Sequence, residues 1–156
     1  MAGHVSLSVE RRFSQPIARV FRRYTDHEGW SEWAGLGKVR LTQEGEGGER
    51  YGVGSVRAFQ LTPGLREQVV RFEPPPEGAR PGSTAVMEYR VIAGPVPMAD
   101  HLGRVRFEST EQGTTVTWSV EFRPTIPGVG ALLRAGLVKL FERVLARLDR
   151  DLSARP

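Results

Sequence analysis

The end of the chain constrains the fold most. Across residues 129–154, apolar side chains recur three and four residues apart. Leu133, Leu137, Leu140, Val144 and Leu148 form one stripe, and Leu132, Phe141, Leu145 and Leu152 form a second. That spacing is helical. Such a helix is roughly 35–40 Å long at ~1.5 Å per residue. Its apolar face must be covered by a surface of similar length. Arg134, Lys139, Glu142, Arg143, Arg147 and Arg150 fill the remaining positions.

The cover has to come from residues 38–123, which read as strand and turn throughout. Strands are expected over 39–44, 55–61, 65–73, 85–92, 100–109 and 114–123. Met87, Tyr89 and Val91 alternate with Glu88 and Arg90, and His101, Val105 and Phe107 with Arg104, Arg106 and Glu108. Val116, Trp118, Val120 and Phe122 alternate with Thr115, Thr117, Ser119 and Glu121. Period two with one apolar face is the pattern of an antiparallel sheet with one side on a core and one on water. Near the N-terminus, Val5, Leu7 and Val9 mark another strand, ending about Phe13. Ser14 then stands where a helix cap belongs, with Pro16 in the first turn. Ile17, Val20, Phe21 and Tyr24 form the buried face of that helix, and a short helical turn over 27–33 follows. The expected architecture is α+β: a single domain over 1–156, with a seven-stranded curved antiparallel sheet, two short helices after strand 1, and a long C-terminal helix about 129–154.

Composition removes several kinds of chemistry. The 156 residues include no cysteine, so disulfide scaffolds, thiol catalysis and cysteine-ligated metals are excluded. Three scattered histidines and no clustered carboxylates match no ligand spacing; neither a metal nor another cofactor is expected. The Gly-x-Gly spacings within 45–54 precede a strand rather than a helix, which argues against a phosphate cradle. The net charge of +4 and a pI near 10.1 would suit a polyanionic partner. Yet the arginines scatter among acids, with only two doublets, Arg11-Arg12 and Arg22-Arg23, and the aromatics fall on the inner strand faces. A nucleic-acid tract interleaves the two, so a solvated basic surface is expected instead. No leader pattern and no membrane-length apolar run are present, which leads to the expectation of a cytoplasmic protein without integral membrane association.

In order along the chain come Pro16-Ile17-Ala18-Arg19-Val20-Phe21, Tyr24-Thr25-Asp26, Trp30-x-x-Trp33 and Gly52-Val53-Gly54-Ser55-Val56-Arg57. Then follow Arg66-Glu67-Gln68-Val69, a stretch from Tyr89 through Gly94-Pro95-Val96-Pro97, Gly113-Thr114-Thr115-Val116-Thr117-Trp118, and the terminal amphipathic helix. This succession resembles the START-like, helix-grip superfamily (SRPBCC), and within it the polyketide cyclase/dehydrase-type branch. The resemblance implies a sheet gripping the last helix around an apolar cavity that takes a lipid- or polyketide-like ligand. It also implies that Thr62-Pro63-Gly64-Leu65 and Gly94-Pro95-Val96-Pro97-Met98 flank the entrance. One fold hosts many activities, so a binding protein and a cyclase, aromatase or dehydratase both remain open. A membrane-docking or protein-interaction module is a weaker third reading, and the protein could be a monomer or a homodimer.

The candidate ligand-binding residues follow from the inward positions. Trp33, Met87, Tyr89, Phe107 and Trp118 come from the short helical turn and the strands, and Leu133, Leu137 and Phe141 from the last helix. His101 shares the inward phase and can donate or accept a proton near neutral pH; His4 and His27 are expected at the surface. Arg57 and Glu67 flank one turn at distances that allow cross-strand pairing. Facing inward they would anchor a ligand, and a buried charge requires such pairing; facing outward they would be an ordinary ion pair. Strand phase does not choose, because Val69-Val70 breaks the alternation as a bulge would. If the protein is an enzyme, His101, Glu67 and Arg57 are its candidate catalytic residues.

Overall fold

A computed structural model of the chain describes residues 3–155. The elements run β1 (Val5–Phe13), α1 (Ile17–Thr25), α2 (Trp30–Trp33), β2 (Val39–Gln43), β3 (Val56–Phe59) and β4 (Arg66–Glu73). They continue with β5 (Thr84–Ala93), β6 (Met98–Thr110), β7 (Gly113–Pro124) and α3 (Gly130–Ala154). All seven strands join one antiparallel sheet in the order β1-β7-β6-β5-β4-β3-β2. The sheet curves around α3, giving the helix-grip α+β fold. No helix among the described residues is long and apolar enough to cross a membrane.

The inner face follows the alternation of the strands. Leu7 and Val9 of β1, Val105 and Phe107 of β6, and Val116, Trp118, Val120 and Phe122 of β7 are all buried. From the helices, Val20, Phe21 and Tyr24 of α1 meet Phe141, Val144, Leu145, Leu148 and Leu152 of α3 in the same core. Fully burying one such aliphatic or aromatic side chain stabilises the fold by about 1.5–3 kcal/mol. Polar ties fasten the C-terminal end of α3: Arg11 reaches Asp149 at 3.0 Å and Arg23 reaches Asp151 at 2.9 Å.

Several local features differ from the sequence expectation. Ser14 does not cap α1. Pro16 occupies the cap position with extended backbone and no side-chain bond, and its carbonyl accepts the Arg19 and Val20 N–H groups. The turn after α1 is helical only over Trp30–Trp33, because residues 27–29 are held as turns, with Asp26 accepting the Gly29 N–H at 3.1 Å. Leu132 is not on a packed stripe: it is 75% exposed, although the start of α3 lies against β1, where Arg134 donates to the Ser6 carbonyl. His27 is not a surface residue but fully buried. Its ring packs 5.3 Å from that of Tyr51 and makes no hydrogen bond. Burial, and then the charge of Arg57, push its pKa well below the usual histidine value, so it is neutral in the folded protein.

Candidate functional site

One cavity of about 220 Å³ opens between the inner face of β3–β7 and the N-terminal half of α3. Leu137, Leu140, Phe141 and Val144 form its α3 side. Phe59, Tyr89, Val91 and Trp118 contribute the sheet side, and Trp30 and Leu36 close one end. The β3–β4 turn supplies Leu61, Thr62 and Leu65, and the β5–β6 turn and the first residue of β6 supply Val96 and Met98, so both expected entrance loops reach the cavity. The two turns touch: Gly94 has φ of 130°, and a Cβ there would lie 2.7 Å from the Leu65 Cα. Only glycine permits that backbone and that approach.

Arg57 and Glu67, the charged side chains of this apolar wall, stand on it with His101. β3 and β4 place Arg57 directly opposite Glu67. Both face inward, which strand phase had left undecided. The guanidinium is 2% exposed; its Nε donates to a Glu67 oxygen at 2.8 Å, and Nη2 lies 2.8 Å from the same oxygen. Trp30, Tyr89 and Phe59 surround it, with ring centres 4.7, 5.0 and 5.4 Å from its central carbon. A desolvated cation gains from such aromatic faces. Burial is the largest influence on the Arg57 pKa and lowers it. Attraction to Glu67, Tyr24 and Tyr89 together outweighs burial, and the pKa stays above its ordinary value. Nη1 makes no hydrogen bond.

His101 sits in a bulge of β6, where the register shifts between Ala99 and Leu102 and Asp100 adopts φ of 53°. Bulges re-aim side chains. Here the imidazole comes to rest 5.5 Å from the Tyr89 ring, and its Nδ1 accepts the Val91 N–H at 3.2 Å. An accepting Nδ1 leaves the proton of the neutral ring on Nε2. Burial lowers the pKa below the usual value, against a smaller opposing pull from Glu67. Near neutral pH His101 is therefore a hydrogen-bond donor, and Glu67 is the acceptor among the three.

Tyr89 links this polar group to the aromatic core. Its hydroxyl accepts the Trp118 Nε1–H at 2.8 Å, and Trp118 stacks on Phe141 of α3 at 3.9 Å with the planes 9° apart. Gly103, opposite Tyr89 on β6, makes this possible: a Cβ there would come within 2.2 Å of the ring.

Of the residues expected on the wall, Arg57, Glu67, Tyr89, His101, Trp118, Leu137 and Phe141 line the cavity. Trp33, Met87, Phe107 and Leu133 do not. Trp33 packs behind Trp30, ring centres 5.2 Å apart, and Trp30 takes the wall position. Met87 lies two residues from Tyr89, between Phe72 and Val105, in the closed part of the core. Phe107 is held against Phe21 and Tyr24 at 5.1 and 5.6 Å, so α1 occupies the space a ligand would need. Leu133 is half-buried one turn above Leu137 and lies outside the lining. Sequence reasoning missed Phe59, which shares the Arg57 face two residues on, and Leu36, which stands between two glycines without any periodic signal.

A sequence model described as polyketide cyclase/dehydrase and lipid transport matches residues 4–153. No curated protein matches the chain significantly. Among solved structures, norcoclaurine synthase from Thalictrum flavum, in complex with dopamine and hydroxybenzaldehyde, superposes with a TM-score of 0.68 at 9% identity; the alignment covers 99% of this chain and 89% of that one. A protein from Nitrosospira multiformis aligns with a TM-score of 0.68 at 19% identity over 98% of this chain and 100% of that one. A solution structure from Thermobifida fusca gives 0.67 at 23% identity, over 96% and 91%. At these identities the likeness is one of fold.

Proposed function

The chain belongs to the polyketide cyclase/dehydrase and lipid-transport family, and from that premise we propose that it binds a hydrophobic small molecule between the sheet and α3. The observation that carries this reading is an apolar cavity of about 220 Å³ whose wall holds a buried Arg57–Glu67 pair. Ligand sites are typically concave, mostly apolar and oriented by a few placed polar groups. A core built only for stability would gain more from closing this space than from retaining two charges beside it. Native mass spectrometry and a thermal-shift screen with a panel of hydrophobic compounds test the reading. Retained ligand mass, or a raised Tm with cavity-sized compounds, is expected; only apo mass and no shift across the panel would overturn it.

A second reading, catalysis in the same cavity, draws on one observation: an acceptor, Glu67, shares the wall with two donors, Arg57 and His101. With a carbonyl ligand, Glu67 would remove a proton from the carbon beside the carbonyl. Arg57 and His101 would hold the oxygen as negative charge develops on it. Returning the proton to carbon restores the ketone, while loss of a β-hydroxyl as water completes a dehydration. The check is deuterium incorporation next to the carbonyl of a bound ketone in heavy water, followed by NMR. Glu67→Gln should abolish exchange while sparing binding; no exchange in the unaltered protein leaves the carrier reading alone standing.

A further inference from the structure

The charge on the cavity wall restricts what can fill it, an inference that rests on the ligand-binding reading above. Among the lining residues, Arg57 and Glu67 are the only arginine, lysine, aspartate or glutamate. They face each other across β3 and β4, joined by a hydrogen bond from Nε and an ion-pair contact from Nη2 to a single Glu67 oxygen. His101, with Nδ1 engaged by the Val91 N–H, adds a neutral imidazole. The wall is thus balanced in charge but not saturated in hydrogen bonds. His101 lines the cavity, and its Nε2–H, the donor left when Nδ1 accepts from Val91, meets no protein acceptor among the described residues.

We infer that the cavity selects an uncharged amphiphile, an apolar body ending in a carbonyl, ester or hydroxyl oxygen, and rejects the matching carboxylate through Glu67. An uncharged oxygen can accept the His101 Nε2–H without disturbing the ion pair. An ionised carboxylate placed there would make two negative charges share one cation in a largely dry site. Like charges that share a site force one of them to take up a proton. A cationic amine meets the corresponding obstacle in Arg57. The apolar remainder of the ligand would lie along Leu137, Leu140 and Phe141 of α3.

The test compares methyl octyl ketone, decanoate and decane, which have chains of equal carbon number, by calorimetric titration of the full-length protein at mildly alkaline pH. The ketone is expected to bind at least about tenfold more tightly than decanoate, the effect of one pKa unit of mismatch, and more tightly than decane. Decanoate binding should take up about one proton, read from titrations in buffers of differing ionisation enthalpy. In Glu67→Gln the order should invert, because Arg57 is then left without its counter-charge. Should that variant fail to fold, the tenfold preference and proton uptake of the unaltered protein still decide. Decanoate equal to or tighter than the ketone without proton uptake overturns the inference and leaves the binding reading intact, as does ketone binding no better than decane. Failure of all three to bind overturns both.

Discussion

The two halves of α3 do different work. From Phe141 onward, Val144, Leu145, Leu148 and Leu152 are buried, and Asp149 and Asp151 are tied to Arg11 and Arg23. In residues 130–140 no side chain is fully buried; Leu137 and Leu140 face the cavity, and Leu132 faces solvent. One helix therefore supplies core at one end and a cavity wall at the other. The stripe on it is continuous; what changes along its length is the partner. The C-terminal half meets α1 and the closely packed side chains of β1 and β5–β7. The N-terminal half is held to β1 by Arg134 and otherwise turns Leu137 and Leu140 to the cavity. Stability and binding should be separable by position along this one helix.

The largest expected effect lies in the closed half. Leu148→Ala should lower the unfolding free energy by about 2–5 kcal/mol in urea denaturation, because the space it vacates is walled on all sides. A loss below ~1 kcal/mol would show that this half packs no better than the other. Next comes Gly103→Val. The new side chain would collide with the Tyr89 ring and break its bond to Trp118, at a cost of about 1–3 kcal/mol, with a matching change in near-ultraviolet circular dichroism. An unchanged spectrum would mean the ring has room that the structure does not give it.

The pH response should also divide between the halves. His27, on the closed side, and His101, on the cavity, both have pKa values below the ordinary 6.5, chiefly through burial. As the pH falls through that value the unfolded chain binds protons that the folded chain does not, so stability should fall. Above it both states are neutral and the histidines contribute no slope. Denaturation between neutral and mildly acidic pH should show a larger reduction of this slope for His27→Phe than for His101→Gln, because His27 is the more deeply buried. The reverse order would place the pH-sensitive group in the cavity. At the small end, Leu132→Ser should change stability by no more than about 0.5 kcal/mol, the usual range for an exposed site. Leu137→Ala should cost little stability and weaken ketone binding several-fold; equal losses of both would erase the distinction between the two halves.

Much of this could be read from the residues in order. The strand alternation placed Tyr89, His101 and Trp118 on the inner face, and the final stripe placed Leu137 and Phe141 against it, because period two and period 3.6 are local properties of the chain. Ser14 misled because capping depends on where the chain turns: the helix begins at Ile17 with Pro16 at the cap, two residues later than a Ser14 cap would start it. His27 misled because its burial comes from Tyr51, a residue distant in sequence. Met87 and Phe107 point inward as their phase says, yet α1 and β4 fill the volume before them.

The sequence by itself determined the order of elements, the apolar faces and the absence of thiol chemistry, since each depends on neighbours within a few residues. Tertiary structure decided where the interior stays open, which inward residues reach that opening, and that Arg57 and Glu67 share it. The direction of the pair depends on the register between β3 and β4 and on the rings of Trp30, Phe59 and Tyr89 closing around the guanidinium. No single strand encodes that arrangement, because a buried charge is tolerated only when groups from several strands and a helix arrive together to compensate it.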